Sequence, residues 1–183
     1  MMIKKILYLM FLLTASFYVG ADTQPFSLKG TDGDQHQLSE YVGKDKWVVV
    51  NVWSSACKFC RHELPDLLEF HEDHVDEDAM VLGIAIDLET FGYPDEATVK
   101  NFLQDFFIDY PNLFASADQA AEMLGTKITS IPMSFFFNPQ GKMIGHWNGI
   151  ISRDQLEKII TSTSSETGSL GSGEKSRRQP HEE

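Results

Sequence analysis

The chain has 183 residues, 42% of them hydrophobic with 13 Phe and 3 Trp, enough for one domain with a real core and no need of a disulfide staple. A formal charge of −12 and a pI near 4.8 argue against nucleic acid or an anionic membrane surface as partner. The two cysteines, Cys57 and Cys60, are therefore expected to be chemical rather than structural.

At the N-terminus, Lys4 and Lys5 precede a mostly apolar run from Ile6 to Val19, and Val19-Gly20-Ala21 offers small residues for cleavage before Asp22. Residues 1–21 are expected to be a secretory signal peptide, which places the mature protein in a periplasm or another extracytoplasmic compartment. An uncleaved membrane tether is the alternative, although the run is short for a span of about 20 residues. No bacterial lipoprotein anchor is expected, since no cysteine stands directly after the run.

Residues 22–161 are expected to form the domain. Pro25 to Leu38, with the turn-rich Gly30-Thr31-Asp32-Gly33-Asp34 at its centre, predicts an N-terminal hairpin. Trp47 to Val52 predicts a strand buried on both faces. A helix follows from Cys57 to about His74, with Leu64, Leu67, Leu68 and Phe70 near helical spacing and Pro65 expected to kink it. Met80 to Ile86 predicts a second buried strand, and Asp95 to Phe107 a helix with Val99, Phe102, Leu103 and Phe106 facing inward. Ala117 to Leu124 predicts a short helix ending at Gly125. Met133 to Phe137 and Lys142 to Trp147, joined through Asn138-Pro139-Gln140-Gly141, predict a β-hairpin. A helix from Ser152 to Thr161 closes the domain, and 162–183, rich in Ser, Gly and Glu, predicts a disordered polar tail. This order implies a mixed α/β sheet covered on both faces.

The Cys-X-X-Cys pair sits where a buried strand ends and a helix begins. Such a pair opens and closes a disulfide, and the free N–H groups of a helix start stabilise a thiolate on the first cysteine. Cys57 is expected to be the exposed nucleophile. Cys60, nearly one turn further in, is expected to be more buried and to resolve the mixed disulfide.

Asn51-Val52-Trp53, the Cys57–Cys60 pair, Arg61-His62-Glu63-Leu64-Pro65, Ile131-Pro132 and Phe136-Phe137-Asn138-Pro139-Gln140-Gly141-Lys142 resemble the TlpA/ResA-like thiol–disulfide oxidoreductases of the thioredoxin superfamily. The resemblance spans roughly residues 24–160. It implies a thioredoxin-like fold, a central mixed β-sheet with helices on both faces, an N-terminal β-hairpin and a central helical insert between Asp87 and Leu124. Two positions depart from it. Ala56 stands where Trp is common, and Phe59 stands where Pro is common between the cysteines.

The resemblance also implies roles. Cytosolic thioredoxin-like proteins keep a buried acid at the position of Asn51, which takes no proton. Glu63, three residues after Cys60 and so on the same helix face, is the replacement, and a half-buried carboxyl there is expected to have a raised pKa. Its bland alternative is an exposed helix glutamate. Ile131-Pro132 is expected to face the dithiol as a substrate shelf, with Pro132 cis by resemblance although the sequence alone favours trans. Trp53 and Phe59 complete the expected substrate-binding set, Trp53 beneath the dithiol and Phe59 on an exposed apolar patch.

The expected activity is reduction of protein disulfides, in a monomer without cofactor or bound metal. By resemblance the partners are oxidised protein substrates, such as an apocytochrome c dithiol during cytochrome c maturation or a copper-site cysteine pair, and a membrane thiol-transfer protein as electron donor. The alternatives are an oxidase or isomerase on the same fold, a metallochaperone using Cys57 and Cys60 with His62 or His71, and a docking module without catalysis. The histidines otherwise read as surface residues.

Overall fold

The computed structural model describes residues 26–162. The expected signal segment 1–21 lies outside the described residues, as does the expected tail except Ser162, which belongs to the last helix.

The domain is organised around the run Trp47–Trp53, which forms a strand buried at all seven positions. In chain order the strands are β1 (Leu28–Gly30), β2 (Gln35–His36), β3 (Trp47–Trp53), β4 (Ala79–Ala85), β5 (Asn112–Phe114), β6 (Met133–Phe137) and β7 (Met143–Asn148). They form one mixed sheet in the order β2-β1-β5-β4-β3-β6-β7. β3 pairs parallel with β4 and antiparallel with β6, so no edge of it is left to solvent.

Because side chains alternate along a strand, β3 feeds two cores. Val48, Val50 and Val52 join Leu82, Ile84, Leu113 and Phe135. The helix α3 (Ala117–Leu124) closes that side with Ala120 and Leu124. Trp47 and Val49 join Leu64, Leu67 and Phe70 of α1 (Lys58–His74), and Leu156 and Ile160 of α4 (Arg153–Ser162). Phe70, Phe114 and Phe135 are fully buried, each worth about 1.5–3 kcal/mol in apolar surface removed from water.

Local chemistry sets the element ends. Ser116 and Gln119 form a reciprocal capping box on α3, which stops at Gly125 in the left-handed conformation (φ 65°). The Asp95 carboxylate accepts the Thr98 amide at 2.7 Å to start α2 (Glu96–Asp105). α1 continues as one helix across Pro65, where the sequence predicts a kink.

The inward assignment of Phe106 is corrected. α2 stops at Asp105 and Phe106 leaves helical geometry (φ −104°, ψ 8°), so the helical period no longer carries it to the core. Phe106 is 41% exposed and stacks on Phe102 at 4.3 Å.

Candidate active site

Cys57 and Cys60 form a disulfide at the C-terminal end of β3, with Cα atoms 5.3 Å apart. Cys57 is the N-cap of α1, and its sulfur accepts the Cys60 amide at 3.1 Å. An N–H aimed at this sulfur favours its anionic form, as does the positive end of the helix dipole.

The expected contrast in exposure is corrected. Cys57 is 3% and Cys60 6% exposed, because with the disulfide closed both belong to a small apolar cluster with Trp53, Ala85, Val99 and Phe114. What reaches solvent is their rim. Ala56 and Lys58 are exposed, and Phe59 is 62% exposed.

Glu63 is fully buried, which removes the reading of an exposed helix glutamate. Its Oε1 accepts from Asn51 Nδ2 at 2.8 Å and its Oε2 from the Ile151 amide at 3.0 Å. Asn51 Nδ2 also donates to Ser134 Oγ at 3.0 Å, so one carboxamide ties β3, α1 and β6 together. Burial raises the Glu63 pKa to about 7, against the opposing pull of the Ile151 and Asn51 hydrogen bonds. A carboxyl with this value exchanges protons near neutrality.

The β3–β6 pairing sets Met133 opposite Val52, which brings Ile131-Pro132 to the end of the sheet that carries Cys57. The Ile131-Pro132 bond is cis. Pro132 is buried and its carbonyl accepts the Gly149 amide at 2.9 Å, while half-buried Ile131 packs against the dithiol cluster.

A model of the AhpC/TSA family matches residues 19–146. The chain belongs to the AhpC/TSA family. A thiol–disulfide oxidoreductase ResA from Bacillus thuringiensis is 25% identical over 143 residues, which are 78% of this chain and 76% of the relative. Among solved structures, a pneumococcal exposed lipoprotein thioredoxin, Etrx1 of Streptococcus pneumoniae, is 28% identical with a TM-score of 0.60, over 75% of this chain and 98% of that one. A DsbF homologue from Corynebacterium diphtheriae is also 28% identical, with a TM-score of 0.63 over 75% and 85%. Within the thioredoxin superfamily the chain is TlpA/ResA-like.

This AhpC/TSA-family site holds residues that the sequence does not single out. Trp53, expected beneath the dithiol, is 4% exposed and packs in one cluster with Cys57 and Cys60, and it leads to a residue not named from the sequence. Its Nε1 donates to Asn112 Oδ1 at 2.9 Å, and Asn112 in turn donates to the Tyr110 carbonyl. Gly83 makes room for this bond, since a Cβ there would collide with the Asn112 side chain. Ser134 and the Ile151 amide are equally silent in the sequence, because Ser134 meets Asn51, and the Ile151 amide meets Glu63, across 83 and 88 residues of chain.

His71, a ligand in the metal-binding alternative, is not a surface residue. It is 4% exposed, and its Nδ1 accepts the Val81 amide at 3.1 Å, which commits that nitrogen to the fold. His62 is exposed on the first turns of α1.

Proposed function

We propose that this thiol–disulfide oxidoreductase works outside the cytoplasm and reduces disulfides in other proteins, with Cys57 attacking, Cys60 resolving and Glu63 carrying the proton. The observation that carries the reading is the pairing of an amide-stabilised Cys57 sulfur with a buried carboxyl three residues beyond Cys60, on the same helix.

In the reduced enzyme the Cys57 thiolate attacks one sulfur of the substrate disulfide. The substrate S–S bond breaks, one substrate thiolate leaves, and a mixed disulfide forms. The Glu63 carboxylate takes the proton from Cys60. The Cys60 thiolate then attacks the Cys57 sulfur, re-forming the Cys57–Cys60 bond and releasing the second substrate thiolate. Two electrons pass to the substrate, and the disulfide form described above is the product state of the enzyme. A dithiol donor, by resemblance a membrane thiol-transfer protein, restores the thiols.

Ile131-Pro132 forms the shelf for an extended substrate, and exposed Phe59 offers it apolar contact. Similarity to an exposed lipoprotein thioredoxin and to the DsbF homologue supports the extracytoplasmic setting. The reduction potential of the Cys57–Cys60 couple tests the direction. A value below about −200 mV fits a reductant, and one above about −150 mV overturns that direction in favour of an oxidase.

A further inference from the structure

Beside the dithiol, on the side of α2, lies an open cleft of about 340 Å³. That is at the low end of the roughly 300–1,000 Å³ typical of ligand cavities. One wall is Ala56, which immediately precedes Cys57, together with Arg61 from the first turns of α1. The other wall is one face of α2, with Thr98, Asn101, Phe102 and Asp105 at helical spacing. Phe102 packs against the dithiol cluster, and its ring is held by Trp53 at 5.2 Å and Phe106 at 4.3 Å.

We infer that this cleft is a second substrate subsite, which takes an aromatic side chain next to the cysteine under attack. The inference rests on the reading that the substrate is an oxidised polypeptide. Three features select the occupant. Ala56 is the small residue that keeps the cleft open at the lip of Cys57. Phe102 supplies a preorganised aromatic contact, and aromatic rings prefer offset or edge-to-face partners. Arg61 and Asp105 make no ion pair among the described residues, and both line the cleft. The Arg61 guanidinium packs favourably on an aromatic face. The polar groups of Thr98 and Asn101 remain for the peptide backbone. The shelf at Ile131 and this cleft both adjoin the dithiol cluster, through Ile131 and Phe102.

The test uses disulfide-bonded peptides that differ only in the residue flanking the attacked cysteine, placed before or after it as Trp, Ala or Glu. With the wild-type enzyme, kcat/KM for reduction of the Trp peptide is expected to exceed that of the Ala peptide by about fivefold. Ala56→Trp and, from the other wall, Asn101→Trp each fill the cleft and bring that ratio to about one. A wild-type ratio near one, or a ratio kept in both variants, overturns the inference while leaving the proposed function standing. Preference for the Glu peptide, lost in Arg61→Ala, overturns the aromatic assignment in favour of an acidic one. If wild-type enzyme exchanges with none of the peptides, the proposed function fails and this inference with it.

Discussion

Asn51 Nδ2 lies 2.8 Å from Glu63 Oε1, so a carboxamide on the central strand donates to the one buried carboxylate of the helix that carries the dithiol. By the resemblance drawn from the sequence, Asn51 stands where cytosolic thioredoxin-like proteins keep an acid. In the folded chain the same residue is the hydrogen-bond partner of Glu63, the acid proposed to take that role. The bond stabilises the charged form of Glu63 and so holds its pKa below what burial alone would impose.

Replacing Asn51 by Ala therefore shifts Glu63 further upward. Loss of one hydrogen bond to a charged group corresponds to about one pH unit. The midpoint of the pH dependence of Cys60-dependent resolution should move up by that amount in Asn51→Ala. An unmoved midpoint would show that Asn51 does not tune Glu63.

Glu63→Gln removes the titrating group. General-base assistance is typically worth about 10²-fold or more, so resolution should slow by about that factor, and mixed disulfides should outlast those of wild type. The first attack, by the Cys57 thiolate, should change far less. Stopped-flow traces that separate the two steps check this. Equal slowing of both would assign Glu63 to the fold rather than to the proton.

Stability should also report Glu63. Its folded pKa, about 7, lies above the unfolded 4.5. The associated stability is fully present below pH 4.5 and is lost as pH rises through about 7, a difference of order 3 kcal/mol. Denaturant titrations across this window should show a slope in wild type that flattens in Glu63→Gln.

His36 and His74 act in the same sense. Burial lowers each pKa, but hydrogen bonds from His36 to Glu40 and Asp32, and from His74 to Glu157 and Asp78, outweigh it and raise both. Their contribution is present below the unfolded value near 6.5 and fades as pH rises through the raised folded values. His71 opposes them: burial lowers its pKa, so its contribution is present above 6.5 and is lost as pH falls, when protonation breaks the bond from Val81. His36→Gln or His74→Gln should each cost about 1 kcal/mol at pH 6 and less at pH 9. A cost that is the same at both values would contradict the ion-pair account.

The element order was legible in the sequence because its signals are local. The apolar run at 47–53 and the stop at Gly125 each act within a turn or a strand. The placing of Glu63 on the helix face of Cys60 was legible for the same reason, while its complete burial goes beyond the half-buried carboxyl the sequence implies. Ser134, Asn112 and the Ile151 amide were not, because only the folded sheet and the docking of α4 bring them to the site. The burial of Cys57 is hidden from the sequence for a different reason. A helix N-cap is usually exposed, but this one closes a disulfide within the cluster of Trp53 and Phe114.

The most direct test of the account is to identify which cysteine holds the substrate. Reduced Cys60→Ser protein, incubated with an oxidised protein substrate, should accumulate a covalent adduct whose disulfide maps by mass spectrometry to Cys57. Failure of Cys60→Ser to form any adduct, together with trapping of substrate on Cys60 by Cys57→Ser, would contradict it.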